Sequence, residues 1–96
     1  MTPPDSPNVL SKGIEIKNRL GLHARAAAQL VQTASQYDAE ITVEKDGQLV
    51  NGKSIIGLMM LAAAQGTVIQ ISATGPQATE AIEAVERLVD AKFNEE

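Results

Sequence analysis

Ile14-Glu15-Ile16-Lys17 alternates apolar with charged residues, the period of a strand with one buried face. From Gly21 the period changes. Ala27, Leu30, Val31 and Ala34 recur at i, i+3, i+4 and i+7 in a segment rich in Ala and Gln, which predicts a helix over 24–36. Ile41 and Val43 alternate with Thr42 and Glu44, Asp46-Gly47 suits the two positive-φ positions of a type I′ turn, and Leu49-Val50 begins the return, so a β-hairpin is expected. Ser54 then opens a short apolar helix over 54–63, weakened by Gly57 and ended by Gly66. A strand over 68–73 turns Ile69, Ile71 and Ala73 to one face, and Gly75-Pro76 leads into a last helix with Ala81, Ile82, Val85, Leu88 and Val89 on its apolar side.

The predicted order is therefore βαββαβα. Half-polar strands need one covered face, and helices with one apolar stripe need a surface to lie on. Both needs are met by an α+β fold in which a four-stranded antiparallel sheet carries three helices on one face. Glu80, Glu83, Glu86 and Asp90 read as the solvated side of the last helix, with no function of their own. Three prolines among the first eight residues forbid regular structure there, so 1–8 is expected to be a flexible tail and 9–96 a single domain.

Composition narrows the chemistry. The net charge is −4 and the aromatics are Tyr37 and Phe93 alone, which removes both the positive field and the stacking platforms of a nucleic-acid binder. With no cysteine and one histidine, disulfides, thiolate catalysis and a metal site are not expected, and no cofactor is implied. The longest apolar run, 55–64, is well short of the ~18 residues that span a bilayer, and no basic segment precedes it at the N-terminus. The expectation is a cytoplasmic protein that does not insert into membranes.

Leu20-Gly21-Leu22-His23-Ala24-Arg25 sets the single histidine where a strand-to-helix loop meets a helix N-terminus. Backbone N–H groups are unpaired there and the helix dipole is positive, so an anion attached to the imidazole would be held by the Ala24 and Arg25 amides. The Arg25 side chain adds a charge-assisted contact to the same oxygens. These positive surroundings should favour a neutral ring with a lone pair ready to attack an electrophile. The plain alternative is that His23 only caps the helix or packs under the loop. A hydrolase is disfavoured, since no second histidine and no local Ser-His-Asp or paired-carboxylate set accompanies it. Transient phosphorylation on a ring nitrogen is the chemistry that remains natural.

Gly21-Leu22-His23-Ala24-Arg25-Ala26-Ala27 resembles the active-site motif of the HPr family, the histidine phosphocarriers of the bacterial phosphoenolpyruvate phosphotransferase system. Asn51-Gly52-Lys53-Ser54-Ile55-Ile56-Gly57-Leu58-Met59 resembles the regulatory serine region of the same family, at the expected separation. The likeness covers 9–93 and implies the family's open-faced β-sandwich. It further implies that Enzyme I, phosphorylated from phosphoenolpyruvate, passes a phosphoryl group to Nδ1 of His23, which hands it to an Enzyme IIA domain. Such a protein is a monomeric carrier without turnover of its own. Ala26 departs from the proline common at that position, which frees one donor in the first helical turn without removing the phosphate chemistry.

By local sequence Ser54 is an ordinary N-cap, while the resemblance implies a regulatory phosphosite served by an ATP-dependent HPr kinase/phosphorylase. Leu58 and Leu61 suit the core; Ile55 and Met59, at i and i+4, form a separate stripe read as an exposed docking patch together with Ile56 and Leu22. Some relatives ring this patch with lysines where the chain has Gln32 and Ser35, so steering is expected to rest on Arg25 and Lys53. Arg19-Leu20-Gly21 and Ala73-Thr74-Gly75-Pro76-Gln77 look like the nitrogen-related carriers, whereas Gly52-Lys53-Ser54-Ile55-Ile56-Gly57 looks like HPr of kinase-regulated sugar systems. Two other functions fit parts of the pattern: a regulatory binding protein of the same fold acting through phospho-Ser54, and a small-molecule-binding α+β regulatory domain.

Overall fold

The computed structural model describes residues 10–95, so the expected tail at 1–8 lies outside it. Along the chain come β1 (Leu10–Glu15), α1 (Ala24–Ala34), β2 (Glu40–Lys45), β3 (Gln48–Asn51), α2 (Ile55–Met60), β4 (Val68–Thr74) and α3 (Ala78–Asp90), followed by a short turn at Lys92–Asn94. The strands form one antiparallel sheet in the order β1-β4-β2-β3. Pairing places Ile14 opposite Ile69, Val43 opposite Ile71 and Ile41 opposite Ala73, so the alternation of each strand brings its apolar residues onto one shared face. All six are buried.

On that face lie Ala27, Leu30 and Ala34 of α1, Leu58 of α2, and Ala81, Ile82, Val85 and Val89 of α3, in one continuous core. Each large apolar side chain taken from water there contributes about 1.5–3 kcal/mol before the entropy of ordering it is charged against it. The opposite face is polar. One row across it reads Ser11, Ser72, Thr42, Asn51.

Several boundaries move from those the pattern predicts, each for a visible reason. β1 starts at Leu10, because an edge strand such as this one alternates weakly through Ser11-Lys12-Gly13 yet pairs with β4 along its whole length. It ends at Glu15, since Ile16 already bonds into the loop, donating its N–H to the Thr67 carbonyl at 2.8 Å and accepting from the Gly66 N–H at 2.8 Å. α1 stops at Ala34, where the Gln36 N–H tightens onto the Thr33 carbonyl. α2 stops at Met60 and not near 63, because Ala62 enters the left-handed region at φ 51° and Lys45 Nζ donates to the Leu61 carbonyl at 3.0 Å. Gly66, at φ 90°, turns the chain into β4 and ends no helix. The hairpin turn is as expected, with Asp46 at φ 52° and Gly47 at φ 85°.

Glu80 and Glu83 of α3 are exposed as predicted, but Glu86 and Asp90 are engaged. Lys12 Nζ reaches Glu86 at 2.7 Å and Lys17 Nζ reaches Asp90 at 2.7 Å. Hydrogen bonds to those carboxylates raise both lysines above their ordinary range. These contacts tie α3 to the β1 side of the sheet.

After α3, Lys92, Phe93 and Asn94 take φ values of 57°, 55° and 56°, a left-handed run without glycine. Such residues cost on the order of 1 kcal/mol each. Phe93 offsets that cost by burying its ring in the core, where it is 2% exposed.

Candidate functional site

The loop between β1 and α1 is held from beneath. Asn18, fully buried, donates from Nδ2 to the Gly21 carbonyl at 2.8 Å, and the Gly21 N–H returns to the Asn18 carbonyl at 3.2 Å. Leu22 drops into the core and its N–H reaches the Ala63 carbonyl at 2.8 Å. Gly21 makes this path possible: its φ is 70°, and a Cβ there would sit 2.5 Å from the same Ala63 oxygen.

His23 is thereby delivered to the N-cap of α1 in extended geometry, φ −79° and ψ −177°. Its carbonyl accepts the Ala27 N–H at 2.8 Å. The Arg25 N–H donates to Nδ1 at 3.2 Å. An accepting Nδ1 carries a lone pair, so the neutral ring holds its proton on Nε2. The capping role is therefore real, and it is also what aims Nδ1 at the helix N-terminus. The Ala24 N–H has no protein partner, and Arg25 is exposed without an ion pair, among the described residues. Donors for an anion on Nδ1 stand ready.

The surroundings are not purely positive as the sequence led us to expect. Glu95 places Oε2 at 3.9 Å from Nε2 and accepts from Asn18 Nδ2 through Oε1 at 2.8 Å. Neither Glu95 nor Asn18 is marked by any motif, and only the return of the chain after α3 brings the two together across 77 positions.

Beside the imidazole, Leu20, Met59 and Ala62 help to line a shallow hollow. Leu22, expected to bind partners, is only 4% exposed and belongs to the core; Leu20, at 63%, presents the apolar surface of that loop instead. The two residues straddle Gly21 and point opposite ways. Ile55, Ile56 and Met59 are exposed as predicted, while Leu58 and Leu61 are buried. Met60, 65% exposed, extends the patch and was not among the expected residues.

Ser54 caps α2, its Oγ accepting the Gly57 N–H at 3.0 Å. Gly57 is no mere weakness: an added Cβ would lie 3.1 Å from Val50 and 3.2 Å from Ser54 Oγ, so its absence lets α2 settle against β3 around the cap. Lys53 remains exposed, with Nζ leaning on the Tyr37 carbonyl at 3.3 Å. Among the described residues no group of three His, Cys, Asp or Glu is placed to hold a metal ion, and no helix is long and apolar enough to cross a membrane.

Comparison with known proteins places this geometry. The family model described as "PTS HPr component phosphorylation site" matches residues 10–91. The chain is 52% identical over 87 residues to phosphocarrier protein HPr of Neisseria meningitidis, covering 91% of this chain and 98% of that one. It is 44% identical over 84 residues to phosphocarrier protein NPr of Klebsiella oxytoca, covering 86% and 93%. A crystal structure of HPr from Thermoanaerobacter tengcongensis superposes with a TM-score of 0.87 at 52% identity, covering 91% and 98%. The molecule is a phosphocarrier. It belongs to the HPr family of the phosphotransferase system, and these matches do not favour a small-molecule-binding domain.

Proposed function

We propose that His23 is the phosphoacceptor, taking its phosphoryl group from phospho-Enzyme I and passing it to Enzyme IIA domains, as a monomer in the cytoplasm. The observation that carries this reading is Nδ1 of His23, turned onto the N-terminus of α1 by the Arg25 N–H. In the transfer the Nδ1 lone pair forms the new N–P bond, the bond from phosphorus to the donor breaks, and its electron pair stays with the donor. The Arg25 N–H then moves from Nδ1 to a phosphate oxygen, joined by the Ala24 N–H. The Arg25 guanidinium supplies a charge-assisted contact and Lys53 adds positive charge to the rim. Leu20, Ile55, Ile56, Met59 and Met60 supply an apolar docking surface, and methionine suits a surface that must fit more than one partner. Incubation with phosphoenolpyruvate, magnesium and a cognate Enzyme I is expected to add one acid-labile, base-stable phosphate. No such phosphate would overturn the reading.

Ser54 fits a regulatory phosphosite read by an HPr kinase/phosphorylase, because its partly exposed hydroxyl adjoins the docking patch at Ile55. A phosphate there places nearly two negative charges against that apolar surface. Ser54→Asp imitates part of the effect. Its carboxylate caps α2 as well as the hydroxyl does, so the melting temperature should not fall. Affinity for Enzyme I should drop about tenfold, close to 1.4 kcal/mol, because the charge must be desolvated on docking. Titration calorimetry with melting curves on both proteins checks this: equal affinities remove the regulatory role from this surface.

A further inference from the structure

Among the described residues one carboxylate, that of Glu95, stands beside the imidazole and takes no part in that transfer. Glu95 gets there by an unusual route: the left-handed turn Lys92–Asn94 reverses the chain, closed by the Asn94 N–H on the Ala91 carbonyl at 3.0 Å and the Glu95 N–H on the Lys92 carbonyl at 2.9 Å. Phe93, sunk in the core, holds the turn. The Glu95 carboxylate is then fixed by a buried amide. Asn18 Nδ2 uses its two hydrogens on the Gly21 carbonyl and on Glu95 Oε1, both at 2.8 Å, so the orientation of that amide is set by two acceptors. With Oε1 held, Oε2 stands 3.9 Å from His23 Nε2, the nitrogen that carries the ring proton. Backbone strain, a buried anchor and a buried donor converge on one carboxylate oxygen, on the side of the ring away from the nucleophile.

We propose that Glu95 is a positioning residue for phosphotransfer, keeping the proton on Nε2 while Nδ1 carries the phosphoryl group. The inference rests on His23 being the phosphoacceptor. When Nδ1 gives its lone pair to phosphorus and keeps Nε2–H, the ring becomes positively charged. In discharge the N–P bond breaks, its electron pair returns to Nδ1, and the leaving group is neutral imidazole only if Nε2 still holds its proton. Without that proton the leaving group is imidazolate, a far poorer one. A fixed carboxylate opposite Nε2 favours the protonated ring electrostatically. Among the described residues the other charged side chains around this hollow are cations, Arg25 following His23 on α1 and Lys17, Arg19 and Lys92 sharing the hollow with Asn18 and Glu95, while Asp90 is engaged by Lys17 at 2.7 Å. Met59 and Ala62 face the ring without charge. Among the described residues Glu95 is the carboxylate that faces Nε2.

Glu95→Gln tests the assignment, since the amide oxygen can still accept from Asn18 while the charge is gone. Both proteins are loaded on His23 with phosphoenolpyruvate and Enzyme I, and the phosphohistidine is titrated by phosphorus NMR. Discharge to an Enzyme IIA domain is timed at pH 8. In the variant the Nε2 proton is expected to leave about half a pH unit lower or more. Discharge at pH 8 should slow about threefold, with unchanged melting temperature and full loading. Coincident titration curves, or equal discharge rates, overturn the role of Glu95. Failure of the parent to carry phosphate on His23 overturns instead the phosphoacceptor reading on which it rests.

Discussion

His23→Ala is expected to give a folded protein that accepts no phosphate from phospho-Enzyme I. The chain has no second histidine to take over the chemistry. Alanine also removes the acceptor of the Arg25 N–H, so the first turn of α1 loses its side-chain cap. A lost cap costs about 1 kcal/mol, which in a domain of this size lowers the melting temperature by roughly 4–8 °C. The core is untouched, since His23 lies outside it. Phosphate incorporation measured by intact mass, with a melting curve beside it, separates the two effects. Retained transfer in the alanine variant would remove His23 from the mechanism.

Gly21→Ala is expected to damage both fold and transfer. The residue sits at φ 70°, and the new methyl would meet the Ala63 carbonyl at 2.5 Å, against backbone that cannot rotate aside. The left-handed conformation costs about 1 kcal/mol for alanine and the steric conflict on the order of 2 kcal/mol more. A loss of about 3 kcal/mol corresponds to a melting temperature lower by roughly 12–24 °C. The same Ala63 oxygen accepts the Leu22 N–H, so relief of the clash must pull the loop off its support and displace His23 from the helix N-terminus. Transfer should therefore fall at least tenfold even at temperatures where the variant is folded. Denaturant unfolding together with transfer rates measured well below the transition tests both halves. A variant as stable and as active as the parent would show that the loop does not depend on this contact.

The sheet and the helix faces were legible because period-2 and period-3.6 patterns register burial directly, as Ile69-Ile71-Ala73 and Leu30-Ala34 show. Boundaries were less so. The end of α2 depends on Ala62 taking a positive φ and on Lys45 arriving from β2, neither of which leaves a local mark. Leu22 was misplaced because a hydrophobic residue next to a candidate site looks alike whether it anchors the loop or faces a partner; Gly21 decides which of its two leucine neighbours points out. His23, Arg25 and Ser54 stand in short motifs, so the sequence names them as candidates. It does not name Asn18 and Glu95, because an ion's position after a left-handed turn is a property of the tertiary fold.

Nδ1 of His23 is the atom proposed to carry phosphate, and isotope-resolved NMR addresses that atom itself. With 15N-labelled histidine, the protein phosphorylated by phosphoenolpyruvate and Enzyme I is examined for coupling between phosphorus and the ring nitrogens. The nitrogen that accepts the Arg25 N–H before loading, Nδ1, should couple to phosphorus, and Nε2 should keep its proton. Phosphorus bonded to Nε2, or found on Ser54 with both ring nitrogens unmodified, would contradict that assignment.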